Sequence, residues 1–295
     1  MGVITSSQNP KLKLVRSLLG RAKERREAGA FVAEGVRLVE EAVNSNWGFR
    51  FVLYDETLSE RGKSQVESLK SRGVECDEVL PSLMKSLSDT ETSQGILAVL
   101  SFTQLPIIAK HPRGTNYPTF LLIPDQIRDP GNLGALIRSA DAAGVDAALI
   151  PPETTDPFAP KVVRAGMGAH FRLPIIPMGW DEIRQLLAGS ASHLTRQDES
   201  NPSGATHPRM RVMLADMEGE SCWETDLRPP LALIVGGEAE GASEQARRLA
   251  SQKISIPMAG RAESLNAAAA GSVLMFEVVR QRRGGHIEAR EESRS

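Results

Sequence analysis

Three times in the second half of the chain, an apolar run ends in a small polar or glycine-rich loop that opens a helix. Residues 119–124 lead into Asp125-Gln126-Ile127-Arg128-Asp129-Pro130-Gly131-Asn132. Leu133, Leu136, Ile137, Ala140 and Ala143 then recur at helical spacing, and Gly144 supplies a stop. Residues 231–235 lead into Gly236-Gly237-Glu238-Ala239-Glu240-Gly241, with a helix expected near Ser243. Ile256-Pro257-Met258 leads through a polar loop into Ser264-Leu265-Asn266 and an alanine-rich helix. Strands alternating with helices predict a mostly parallel sheet, and ligands of such sheets sit at the C-terminal ends of the strands. All three loops fall at such ends, so the pattern predicts one shared pocket. Asn132 reads as an N-cap, and the third helix is expected to open with unpaired backbone N–H groups.

The other properties of the chain narrow its class. The 295 residues carry a net charge of −2, so a nucleic-acid surface has to be a local patch. Two cysteines, Cys76 and Cys222, lack metal-ligand spacing. They predict a reducing, cytoplasmic setting with no disulfide framework and no metal site. No apolar run is long enough to span a membrane, and the first residues lack the apolar core of a signal peptide. The loops contain neither G-x-G-x-x-G nor a Walker pattern, so dinucleotide and nucleoside-triphosphate readings lack their fingerprint.

The first third alternates predicted strands and helices into a small α/β domain spanning 1–104, and the Pro- and Gly-containing stretch 105–118 reads as a linker. The domain opens on a helix whose apolar stripe is Leu12, Val15, Leu18, Leu19 and Ala22. Lys11, Lys13, Arg16, Arg21, Lys23, Arg25 and Arg26 surround that stripe. Phosphate contact and a plain solvated face are both open for it. A second basic helix is expected over 160–170, where Lys161, Arg164 and His170 could meet phosphate. Residues 196–211 read as an irregular loop.

Taken in order, the three loops resemble the motifs of the SpoU/TrmH family of RNA methyltransferases in the SPOUT superfamily. Asn132-Leu133-Gly134 with Arg138 stands for the first motif, residues 234–241 for the second, and Ile256-Pro257-Met258 with Ser264-Leu265-Asn266 for the third. Phe31, Glu34-Gly35 and Gln94-Gly95-Ile96 resemble the L30e-like substrate-binding domain often joined to that family. One departure is Gly237, where many relatives carry asparagine.

The resemblance implies an α/β fold with a deep trefoil knot in a methyltransferase domain spanning 119–295, and a homodimer. It implies S-adenosylmethionine held near Val235, Gly236, Gly241, Ile256, Met258 and Leu265. It also implies methyl transfer to a ribose 2′-hydroxyl of structured RNA, with 23S-type ribosomal RNA the expected substrate. Arg138, Asn132, Glu238, Ser264 and Asn266 become the expected catalytic set, and Lys11, Lys13, Arg16, Arg25, Arg26, Lys161 and Arg164 the expected RNA contacts. Guanidinium stays protonated, so Arg138 is expected to stabilise the developing alkoxide rather than to remove the proton. Base methylation by a related knotted fold and a non-catalytic RNA-binding or assembly protein are the alternatives.

Overall fold

The structure, a computed structural model, describes residues 3–88, 93–103, 105, 117–188, 210–238 and 241–292, with side chains as far as residue 283. The expected linker over 105–118 and the expected loop over 196–211 lie almost wholly outside the described residues. The chain forms two compact units: Met1–Gln104 with Asp156–Arg172, and Leu105–Thr155 with Leu173–Ser295.

The first unit begins with two helices where the sequence suggested one. In α1 (Pro10–Gly20) the Asn9 side chain caps the first turn, accepting the Lys11 N–H at 2.8 Å, and Pro10 supplies a preset φ. Gly20 weakens the helix, Arg21 is extended at φ −121°, and α2 (Ala22–Ala28) starts afresh. There follow β1 (Ala30–Glu34), α3 (Val36–Asn44), β2 (Phe49–Tyr54), α4 (Glu60–Ser71), β3 (Cys76–Glu78), α5 (Pro81–Leu87) and β4 (Ile96–Ser101). The sheet order is β1-β4-β2-β3; β4 is antiparallel to both neighbours, and β2 and β3 are parallel. Leu12, Val15 and Leu18 of α1 pack with Val32, Leu53, Leu97 and Val99 on one face of this sheet.

The second unit holds β5 (Phe120–Asp125), α6 (Pro130–Ala143) and β6 (Ala147–Ile150). After α7 (Pro160–Gly166), which belongs to the first unit, come β7 (Ile175–Pro177), α8 (Trp180–Leu187), β8 (Arg211–Ser221), β9 (Leu231–Gly236), α9 (Glu244–Leu249), β10 (Gln252–Ser255) and α10 (Ala267–Glu292). Every strand pair is parallel, in the order β10-β8-β9-β5-β6-β7. Strand β5 therefore lies between β6, its successor, and β9, far ahead in the chain. Strand order reverses there, which is where such sheets open a crevice. Helices α8 and α9 cover one face through Ile183, Leu187 and Ala246. On the other, α10 packs closely on α6: a Cβ at Gly271 would meet Leu136 at 2.4 Å, and Ser139 and Ser272 share a hydrogen bond of 2.7 Å.

The segment Asp156–Arg172 joins the first unit although its sequence neighbours belong to the second. The cause lies in β1. Side chains alternate across a strand, so Val32 enters the core under α1 while Phe31 faces the other way. Phe158 and Phe171 meet Phe31 there, with ring centroids at 5.1 and 6.4 Å, and Phe102 and Trp47 complete the cluster. The expected single helix over 160–170 is cut short. Met167 and Gly168 are left-handed at φ 49° and 93°, and a Cβ at Gly168 would stand 2.9 Å from Glu41 Cγ. His170 then falls in a short 3-10 turn, fully buried, with Nε2 at 2.8 Å from the Pro157 carbonyl. Burial lowers its pKa to about 4, so it is a neutral core residue and presents nothing to phosphate.

Candidate active site

The loops after β5, β9 and β10 meet at the C-terminal edge of the second unit's sheet. The first two touch backbone to backbone: a Cβ on Gly237 would lie 2.3 Å from the Gln126 carbonyl oxygen, while one on Gly236 would lie 2.6 Å from Ala242 N, within its own loop. Asparagine at position 237 would therefore force these loops apart as they stand here, which gives the Gly237 departure a physical reason.

The first loop caps its helix with a residue other than the expected one. Asp129 is the N-cap of α6, its Oδ1 accepting the Asn132 N–H at 2.8 Å, and Pro130 occupies the first turn. Asn132 stands three residues inside, so its side chain is free to point elsewhere. It donates through Nδ2 to Glu238 Oε1 of the second loop. Asn266 of the third loop donates to the same Oε1 at 2.8 Å and to Asn132 Oδ1 at 3.0 Å. Three side chains from three loops thus close one hydrogen-bonded triangle. Asn266 also caps α10, its Oδ1 accepting from Ala268 N at 2.9 Å and Ala269 N at 3.2 Å. Those N–H groups are satisfied within the chain rather than left open, which corrects the expectation for the third helix.

Beside the triangle lies a cavity of about 870 Å³, within the range of small-molecule sites. Val235, Ile256, Met258, Leu265 and Leu274 give it apolar walls, and Gly236, Gly241, Glu238, Ser264 and Asn266 give it polar ones. A smaller hollow of about 90 Å³ shares Gly237, Glu238 and Gly241 with it and reaches Asp129 and Asn132. Arg138 borders neither. It is exposed on α6 and, among the described residues, makes no hydrogen bond or ion pair.

The structure sorts the expected RNA contacts sharply. Arg25 is 3% exposed; its guanidinium bonds Asp156 at 2.6–2.7 Å and the Leu18 carbonyl at 2.5 Å, which removes it from the set. Lys11 is held by Glu75 at 2.6 Å and by Asp77, and Arg164 reaches Glu34 at 3.4 Å. Lys13, Arg16, Arg26 and Lys161 are exposed.

Two acidic groups escaped the sequence reading. Asp125, at the last position of β5, is fully buried. It accepts the Ser243 N–H at 2.6 Å and so ties α9 to β5, while Oδ1 has no partner among the described residues. Burial pushes its carboxyl pKa up against that bond. Asp216, midway along β8 and just past the stretch that pairs with β9, lines the large cavity. The available signal was a carboxylate closing an apolar run, where strand ends bind ligands.

An all-parallel sheet with a strand-order reversal, and three interlocked loops over a cavity, define an α/β unit with a small-molecule site at its strand ends. Residues 119–276 match the SpoU rRNA Methylase family and residues 9–98 the MRM3-like substrate binding domain. The chain belongs to the SpoU rRNA methylase family. It is 31% identical to the 23S rRNA (uridine(2479)-2′-O)-methyltransferase of Streptomyces viridochromogenes, over 95% of this chain and 93% of that one. It is 30% identical to the 23S rRNA (guanosine(2553)-2′-O)-methyltransferase RlmP of Bacillus subtilis, over 94% and 99%. Among solved structures, it superposes on the SpoU methyltransferase AviRb of Streptomyces viridochromogenes, in complex with AdoMet, with a TM-score of 0.73 and 30% identity, covering 94% of this chain and 100% of that one.

Proposed function

We propose that this chain transfers a methyl group from S-adenosylmethionine to a ribose 2′-hydroxyl of ribosomal RNA. The observation that carries the reading is the triangle of Asn132, Glu238 and Asn266, which joins the three motif loops at the rim of a cavity of nucleoside size. The cavity walls fit the cofactor: Val235, Ile256, Met258 and Leu265 suit an adenine ring, and the glycines let ribose approach the backbone. Bound there, the cofactor supplies an already activated methyl group.

The chain has to orient the acceptor and stabilise the oxyanion that forms as the hydroxyl proton leaves. Arg138 suits the second task, because it is permanently charged and makes no ion pair among the described residues. In this reading Asn132 and Ser264 orient the ribose, and Glu238 holds the loops together. The same reading includes the trefoil knot of the family and a homodimer. Exposed Val273 and Phe276 on α10 support a second copy docking on that helix. No helix among the described residues is long and apolar enough to cross a membrane; the reading puts the chain in the cytoplasm, where the two free, buried cysteines would stay reduced.

The test is direct. Protein, methyl-labelled S-adenosylmethionine and unmodified 23S ribosomal RNA are incubated, and 2′-O-methyl positions are mapped by their resistance to alkaline hydrolysis. One new resistant position is expected. Label that ends on a base would favour base methylation, and no label on any ribosomal RNA would sink the reading.

A further inference from the structure

One wall of the large cavity has no task in the reading above. It is formed by the middle of β8, just past its pairing with β9, and by α9, through Ala215, Asp216, Met217 and Arg247. Asp216 carries its chemistry. Oδ1 accepts the Glu218 N–H at 3.0 Å, and Oδ2 stands 2.9 Å from Lys253 Nζ and 3.6 Å from Arg247 Nη1. Arg247 is itself braced, its Nε donating to the Ala242 carbonyl at 3.0 Å. Burial pushes the Asp216 carboxyl up, but the Glu218 N–H and Lys253 outweigh it and hold the group below the usual carboxylate range. An ionised carboxylate offers about four acceptor positions. Glu218 and Lys253 take two, and the contact with Arg247 is too long for a hydrogen bond. Acceptor capacity therefore remains on a fixed oxygen pair at the cavity wall.

We propose that Asp216 holds the ribose of the adenosyl cofactor by accepting hydrogen bonds from its vicinal hydroxyls, and that Lys253 and Arg247 position the carboxylate for this. The inference rests on the cofactor reading given above. An adenosyl group presents an apolar ring, a diol, a cationic sulfonium and a zwitterionic tail. The apolar walls answer the ring, and only an acceptor can reward the diol. The other carboxylates on the cavity are less fixed: Glu238 and Glu263 are exposed and neither is held by a cation among the described residues, whereas Lys253 and the Glu218 N–H fix both oxygens of Asp216. Asp216 stands just past the point where β8 leaves its parallel pairing with β9, the kind of edge at which open parallel sheets receive a ribose hydroxyl on a carboxylate. Charge also sets the direction of the ligand. Asp216 and Glu218 balance Lys253 and Arg247, so this wall gives the sulfonium no net attraction. The sulfonium then belongs at the Glu238 end, beside the triangle.

The test uses the full chain and calorimetry with S-adenosylhomocysteine and its 2′-deoxy and 3′-deoxy analogues. Loss of a hydrogen bond to a charged group corresponds to about a tenfold to hundredfold change in affinity. The unaltered chain should therefore bind at least one deoxy analogue about tenfold more weakly than the parent. Asp216→Asn should lose a similar factor toward the parent and lose little further toward that analogue. Equal losses toward parent and analogues in Asp216→Asn would overturn the proposal. So would equal binding of all three ligands by the unaltered chain, a result that needs no variant to fold. An unaltered chain that binds no S-adenosylhomocysteine would overturn the cofactor reading itself.

Discussion

Arg25 in the first unit and Arg138 in the second are alike in sequence: each is a cation on a helix, beside an apolar stripe. In the structure they are opposites. Arg25 is buried, and its charge is consumed by Asp156 and the Leu18 carbonyl. Arg138 is exposed and, among the described residues, makes no ion pair. A buried arginine must be paired, because desolvation without compensation is prohibitive, and once paired it has nothing left for a ligand. An exposed one without a partner keeps its full field for whatever arrives. Residue type and helical position do not separate these cases; the partner does.

The largest effect that could break this contrast is on stability. Arg25→Ala should cost about 3–5 kcal/mol, because it strands the Asp156 carboxylate and the Leu18 carbonyl. Denaturant unfolding of the full chain reads this, and a loss under about 1 kcal/mol would mean the pair is solvated. Arg138→Ala should leave the unfolding midpoint in place, as exposed sites usually do. It should lower methyl transfer about 10²–10³-fold, the size of one lost oxyanion donor, with cofactor affinity by calorimetry changed by less than about twofold. Retained activity would remove Arg138 from the reaction.

The third prediction tests burial without a charged partner. His170 is neutral in the folded chain down to about pH 4 but titrates near 6.5 when unfolded. Between these values the unfolded state binds more protons, so stability falls as pH drops from 6.5 toward 4, by up to about 3 kcal/mol. His170→Gln, which keeps a donor toward the Pro157 carbonyl, should flatten that part of the stability–pH curve. An unchanged slope would show that other groups carry it. The smallest effect concerns the exposed cations. Neutralising Lys13 and Arg16 should reduce the salt slope of RNA binding by about 1.5 in all, at about 0.7–0.9 per phosphate. Lys11→Gln should leave the slope alone, since Glu75 and Asp77 already hold Lys11. Equal slopes for all three variants would erase the distinction between paired and unpaired cations.

Much of the second unit was legible because its physics is local. Apolar runs mark β5 and β9 to within a residue, and a glycine marks where two loops must touch, as Gly237 does. A shared pocket could be expected for the same reason, since loops at strand ends converge in a parallel sheet; the individual site residues were named by the family resemblance. Their partners could not be named. The bond from Asn132 to Glu238 spans 106 positions, and nothing near either residue announces the other. Asp129 displaced Asn132 as the cap because Pro130 fits the first turn, a local cue outweighed by the motif. The break at Arg21 and the left-handed Met167–Gly168 pair were also hidden, since both depend on what the chain packs against next.

The passage of Asp156–Arg172 into the first unit also bears on how the chain is made. Arg25 and Phe31 leave the ribosome long before their partners exist; Arg25 and Asp156 are 131 positions apart. At roughly 5–20 residues per second, the gap lasts on the order of 7–26 s. For that interval the nascent unit carries an unpaired guanidinium and an uncovered aromatic face, and its last layer can close only after β5, α6 and β6 have been synthesised. The order of manufacture therefore interleaves the two units, so the amino-terminal unit is begun first but is not finished first.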